Sequence, residues 1–267
     1  VNKHLQMKYD IIADNIIQWL KAYSKKSKTD GFVIGISGGI DSALTSTLCA
    51  STGLPTICID MPIMQNKNEV NRASSHIKWL QKKFNNVVHK SIDLNDVFNS
   101  FKNTVEQKND HNNFLSLANS RSRLRMTTLY YFAGINRCLV AGTGNKVEDF
   151  GIGFYTKYGD GGVDISPIAD LNKTDVFEIS KSLEIINEIV NAKPTDGLWD
   201  DGRTDEDQIG ATYKELEWAM QQKDLNKELT DFKGREKEVF QILKKFNEQN
   251  LHKMIPIPIY KVPEDLK

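Results

Sequence analysis

Several things are scarce in this chain of 267 residues. Net charge is the first: 35 Lys and Arg balance 35 Asp and Glu. No excess marks a nucleic-acid groove or an acidic lipid surface, so basic residues act locally if they act at all. Cysteine is the second: Cys49, Cys58 and Cys138 lie far apart on apolar segments with no CxxC pair. That argues against a disulfide framework and a zinc site, and leaves them as small buried hydrophobes in a reducing compartment. No apolar run approaches ~18 residues, and the opening VNKHLQMKYDII has no signal-like stretch. These absences lead to the expectation of a soluble, cytoplasmic protein with no membrane or nucleic-acid partner. The length suits one α/β domain or such a domain with a helical annex.

A further absence is local. No Lys or Arg occurs from Phe32 to Ile63, yet GFVIGISGGIDSALTSTLCA in that stretch reads as an anion-binding turn. Phe32, Val33, Ile34 and Ile36 suit a short buried strand, and Ala43, Leu44, Leu48 and Ala50 suit a helix. Ser37 to Asp41 is then a strand-to-helix turn, where Gly38 and Gly39 let an anion approach backbone N–H groups and the positive helix end. The missing Lys excludes a GxxxxGK[ST] phosphate loop, and GISGGI fails the GxGxxG spacing of a dinucleotide fold. Asp41 beside a phosphate site is unfavourable unless a divalent cation lies between, which implies Mg2+. The plainer alternative is a serine-rich turn with a helix cap.

Along the chain, Tyr9, Ile12, Ile16, Leu20 and Tyr23 predict an amphipathic helix. TICID (56–60) predicts a second strand and Val70, Ala73, Ile77, Leu80 and Phe84 a helix. A third strand is expected near 86–92, helices over 94–105 and 114–135, and a fourth strand over 137–142. This alternation predicts an open, mostly parallel sheet with helices on both faces and a helical C-terminal part. Ligands of such sheets bind outside the carboxyl ends of strands, where SGGIDS and GTGNKVE both fall. The glycine-rich stretch 149–173 reads as a long functional loop or lid and PTDGLWDDGRTDEDQIG as a second mobile loop. TDED opens one helix carrying Ile209, Tyr213, Leu216 and Met220, another helix lies near 235–248, and HKMIPIPIYKVP is an extended tail.

SGGIDS resembles the pyrophosphate loop of the N-type ATP pyrophosphatases, which act at the α-phosphate of ATP. GTGNKVE, FYTKYGDGGVD, the LNKT helix start, KPTDGLW, TDEDQIG and the final HK are together similar to the ammonia-dependent NAD synthetases, over about residues 11–261. The resemblance implies one synthetase domain over 1–267 with no glutaminase domain. It implies the conversion of deamido-NAD to NAD: ATP adenylylates the nicotinate carboxylate and pyrophosphate leaves, then ammonia displaces AMP. It puts Gly35, Ile36, Ser37, Gly38, Gly39, Ile40, Asp41, Ser42, Thr143, Lys173 and Thr195 around ATP, with Asp41 and Glu148 holding Mg2+. Lys173 supplies the positive charge the loop lacks. Arg123, Lys157, Asp164, His252 and Lys253 fall where the family binds the dinucleotide, and Asp160 is the candidate for binding ammonium and taking its proton. Asp41, Asp160 and Lys173 form the expected catalytic set. A symmetric homodimer is also implied, with the helix from Phe114 to Ile135 a contributor.

Each residue has a plainer rival. Arg121 and Arg125 share a helix face and Arg123 does not, so one arginine alone enters a site, or all three are solvated surface. Lys173 could open a helix, Asp160 could be a turn aspartate before Gly161, and His252 could belong to a frayed tail. The motif departs from common relatives in Ile40, which replaces Gln, and in GTGNKVE, which replaces a GTDHAAE-like form. An ATP sensor on the same fold predicts loss of Glu148, Lys173 or KYGDGG, and all are present. A tRNA-modifying relative is disfavoured by the neutral charge.

Overall fold

The computed structural model describes residues 3–65, 67–105, 111–192, 194 and 204–267. Four short strands form a sheet: β1 (Gly31–Gly35), β2 (Thr56–Asp60), β3 (Val87–Ser91) and β4 (Cys138–Val140), in the order β3-β2-β1-β4. Every pairing is parallel, with Phe32 opposite Thr56, Val33 opposite Val140, and Thr56 opposite Val87. The period of two along β1 sends Phe32 and Ile34 to one core and Val33 to another. Both faces are therefore covered, as the apolar strands require.

The first core packs α1 (Lys3–Ser27), α2 (Ile40–Ser51), α3 (Lys67–Lys83), α6 (Lys173–Ser182) and α7 (Asn187–Val190) on one face of the sheet. The second packs α4 (Asn95–Thr104) and α5 (His111–Asn136) on the other. A third core, distinct from the sheet, joins α8 (Asp205–Ile209), α9 (Tyr213–Asp224) and α10 (Gly234–Met254) to a turn of π-helix at Val147–Ile152. This third core is the expected helical C-terminal part.

Three expectations are corrected. The helix carrying Ile209, Tyr213, Leu216 and Met220 is two helices: Gly210 ends α8 at φ +83°, and Thr212 caps α9 through a reciprocal pair with Glu215. The last helix runs on to Met254 rather than stopping near 248. The 149–173 stretch packs instead of standing clear, because Ile152, Ile165, Ile168 and Leu171 are buried. Its glycines serve close contact: a Cβ on Gly151 would lie 2.7 Å from Met220 Sδ. Most of the PTDGLWDDGRTDEDQIG stretch, Thr195 included, lies outside the described residues.

Candidate active site

The sheet order places the site. From β1 the chain moves to β2 and β3 on one side, then returns to β4 on the other, so the loops after β1 and β4 face each other across a crevice. The β1 loop turns at Gly38, whose φ is +86° and where a Cβ would sit 2.5 Å from the Glu69 carbonyl oxygen. Glycine is required there on both counts. The loop is braced by its own hydroxyls: Ser37 Oγ accepts from Gly39 N–H (3.1 Å) and lies 3.0 Å from Ser42 Oγ, which donates to Gly39 O at 3.0 Å. No side chain caps α2, so its first-turn N–H groups point outward as an anion seat. Ile40 is 5% exposed and packs in the core beneath the cavity that it helps to line.

The cation that the loop lacks arrives from elsewhere. Arg72 of α3 reaches across to donate from Nε to Gly38 O (3.2 Å), and Gln65 donates to Ser37 O (3.3 Å). From α6, Lys173 lies between two carboxylates, with Nζ 2.6 Å from Asp41 Oδ2 and 2.9 Å from Glu148 Oε1. Lys173 is 2% exposed. Burial opposes its charge, but Asp41 and Glu148 outweigh that and raise its pKa. Burial pushes Glu148 up, yet Lys173 and the hydrogen bonds of Tyr213, Lys173 and Asn145 together hold it below the usual range. At Asp41 burial wins over Lys173, and the neighbouring Glu148 charge adds to the rise.

Asn145 ties the pair together. Its Nδ2 donates to Asp41 Oδ1 (3.0 Å), and its Oδ1 accepts from the N–H groups of Val147 and Glu148 (3.1 Å each). Tyr213 donates its hydroxyl to Glu148 Oε1 at 2.6 Å. The donor set is thus two carboxylates with Lys173 Nζ between them, and among the described residues no group of three or more His, Cys, Asp or Glu is placed to hold a metal ion. That composition fits Mg2+, which takes one or two protein carboxylates and completes its shell with water and substrate phosphate.

These groups line one cavity of about 580 Å³, shared by residues 35–42, Thr143, Glu148, Asp160, Lys173 and Lys253. Asp160 opens onto it, with Oδ1 accepting from Ser122 Oγ (2.7 Å) and Thr156 N–H (3.0 Å). Burial of its carboxylate raises its pKa in spite of those bonds, and the Glu148 charge adds to the rise. Lys253 spans the wall, donating to Gly153 O and Tyr155 O (2.9 Å each).

The other residues expected at the dinucleotide are not in the cavity wall. Arg123, Lys157 and His252 form an outer chain instead: Arg123 Nε meets Lys157 O (3.4 Å) and Lys157 Nζ meets His252 O (2.5 Å). Asp164 commits both oxygens to the fold, accepting from Val140 N–H (2.8 Å) and Tyr130 OH (3.0 Å). The arginine that does enter is Arg125, which lines the cavity and donates to Met61 O (3.0 Å). Burial, with Arg121 nearby, lowers its guanidinium to about 10.

A model of the NAD synthase family matches residues 12–256. The NH(3)-dependent NAD(+) synthetase of Carboxydothermus hydrogenoformans is 33% identical over 238 residues, 86% of this chain and 93% of that protein. The one from Mycoplasma genitalium is 40% identical over 203 residues, 74% and 78% of the two chains. Among solved structures, an NMN synthetase from Francisella tularensis is 29% identical with a TM-score of 0.81, over 96% of this chain and 98% of that one. An NH3-dependent NAD synthetase from Campylobacter jejuni is 25% identical with a TM-score of 0.76, over 95% and 99%. On the span of the family match and these identities, the chain belongs to the NAD synthase family.

Proposed function

We propose that the protein is an ammonia-dependent NAD synthetase that amidates the nicotinate carboxylate of deamido-NAD at the expense of ATP. The observation that carries this is the meeting of Asp41, Lys173 and Glu148 beside an uncapped helix start, at the carboxyl ends of β1 and β4. A carboxylate is a poor electrophile, and joining it to AMP creates a good leaving group. In the first step a carboxylate oxygen bonds to the α-phosphorus while the bond to the pyrophosphate oxygen breaks. The loop N–H groups, Lys173 and Arg72 receive the negative charge of the departing pyrophosphate. Asp41 and Glu148 would hold Mg2+, which offsets the phosphate charge when bound.

In the second step Asp160 takes a proton from ammonium, because ammonium has no lone pair to give. The freed nitrogen bonds to the acyl carbon, AMP departs with the oxygen, and the second excess proton leaves to solvent. The elevated pKa of Asp160 suits a base of this kind. The outer chain of Arg123, Lys157 and His252 lies beside Lys253 and is suited to the far phosphates of the dinucleotide. Tyr131 and Ile135 on α5 are 62% and 60% exposed, which supports burial against a second copy in a homodimer. No described helix is long and apolar enough to cross a membrane. Three free, buried cysteines support a reducing, cytoplasmic setting.

A second acceptor, nicotinic acid mononucleotide, is favoured by the likeness to the Francisella NMN synthetase. The test is pyrophosphate release from Mg-ATP with each acceptor, with and without ammonium, followed by mass analysis. NAD and AMP in equal amounts, only with ammonium and deamido-NAD, support the first reading; NMN as the preferred product moves the assignment to the mononucleotide. Acceptor-independent pyrophosphate release refutes both.

A further inference from the structure

Behind the carboxylate pair lies a hydrogen-bonded relay with no part in the chemistry described so far. Tyr213 opens α9 and is 5% exposed. Its hydroxyl is 2.6 Å from Glu148 Oε1 and 3.2 Å from Asp205 Oδ2, and its ring lies under Lys173 with Nζ 4.9 Å from the centroid. A core-filling role asks only for the ring, and a buried phenol needs one partner. Here the hydroxyl faces two carboxylates from two different elements, and one proton serves only one of them at a time. The shorter contact gives it to Glu148.

The ring is itself anchored. Tyr213 N–H donates to Glu206 Oε1 (2.8 Å), and the Thr212–Glu215 cap that starts α9 is held by Arg235, 2.8 Å from Glu215. Lys173 and Tyr213 both donate to the same oxygen, Oε1. Neither of those bonds holds Oε2.

We infer that Tyr213 is the positioning residue for Glu148: the hydroxyl pins Oε1 and so presents Oε2 to the divalent cation. This rests on the assignment of Glu148 as a metal-holding residue. The partners of a ligating carboxylate fix its direction, and losing one weakens metal binding by ~10–100-fold.

The experiment measures Mn2+ affinity by electron paramagnetic resonance for the protein saturated with α,β-methylene-ATP, in which the α–β bridge resists cleavage. Tyr213→Phe should bind Mn2+ about 10-fold more weakly with a melting temperature close to wild type, whereas Asp205→Asn, which removes the acceptor competing for the phenol proton, should bind it as tightly as wild type or more tightly. In turnover, the Mg2+ concentration for half-maximal rate should rise while the saturated kcat stays near wild type. A purely structural tyrosine would lower the melting temperature and leave Mn2+ affinity alone, which would overturn the inference. Glu148→Gln is the control: if it weakens Mn2+ while Tyr213→Phe does not, the relay is wrong and the metal assignment stands. If Glu148→Gln also binds Mn2+ normally, the metal assignment falls and the relay with it. Should Tyr213→Phe fail to fold, Asp205→Asn serves instead, because freeing the phenol proton for Glu148 predicts equal or tighter Mn2+ binding, and weaker binding overturns the inference by itself.

Discussion

Lowering the pH from about 7.5 to about 4 should destabilise the fold through His76. The residue is 0% exposed, its Nε2 lies 2.9 Å from Ser46 Oγ, and its Nδ1 has no partner among the described residues. Burial lowers its pKa from 6.5 to about 4. The unfolded chain binds the extra proton from pH 6.5 downward, whereas the folded protein resists until about 4. Stability is therefore fully present above 6.5 and declines as pH falls across that window. At ~1.4 kcal/mol per pH unit the loss approaches about 3 kcal/mol, a large part of the ~5–15 kcal/mol that holds a domain together. Ser46 is on α2, the helix that carries Asp41, so the strain falls on the active site. Urea unfolding of wild type and His76→Phe at steps through this range is the assay, since Phe keeps a ring against Trp79, which now stacks on His76 at 5.6 Å. The other titrating groups cancel between the two proteins. Wild type should lose about 3 kcal/mol relative to the variant as pH falls, and two parallel stability curves would refute the reasoning.

Three further perturbations test the site. Gly38→Ala places a methyl 2.5 Å from a carbonyl oxygen at φ +86°; stability should fall by ~1–2 kcal/mol and pyrophosphate release by at least ~10-fold, and a wild-type rate would remove the loop from the reaction. Lys173→Met leaves Asp41 and Glu148 facing each other without their cation, so adenylylation should slow by ~10²–10³-fold in protein that still folds by circular dichroism; a change in KM alone would assign Lys173 to ground-state binding. Asp160→Asn should spare pyrophosphate release more than NAD formation, the second falling by ~10²-fold or more, and an equal loss in both would end its role as the ammonia base.

Much of this fold is readable along the chain because its cues are local. Phe32 to Ile36 announces a strand, Ser37 to Asp41 a turn, and the alternation of strands with helices announces a parallel sheet. The break at Gly210 was harder, since Ile209, Tyr213, Leu216 and Met220 keep helical spacing through it. The readable signal was Thr212 followed three residues later by Glu215, the reciprocal cap that starts a new helix. Arg72 illustrates what no spacing reveals: it belongs to α3 by sequence and to the β1 loop by contact. That Arg125 lines the cavity and Arg123 does not likewise depends on the direction in which α5 meets Met61. Asp164 shows a contact that spacing does not reveal. The resemblance places it at the dinucleotide, and its carboxylate also accepts from the β4 N–H of Val140 and from Tyr130 OH.

The strand order is the reason that a site of this charge exists at all. Asp41 follows β1, Glu148 follows β4 and Lys173 begins α6, so neighbours in sequence could not have produced the cluster. Because β4 pairs with β1 on the side that β2 leaves open, the two carboxylates approach each other at one sheet edge, where their repulsion has to be met. Lys173 meets it from inside the protein, and Asn145 and Tyr213 spread the remaining charge over fixed dipoles. With Arg72 at the loop, the local sum of Asp41, Glu148, Lys173 and Arg72 is close to neutral. A polyphosphate then finds an uncapped helix start beside two carboxylates whose mutual repulsion Lys173 already eases, and a divalent cation held by that pair would offset the charge that remains.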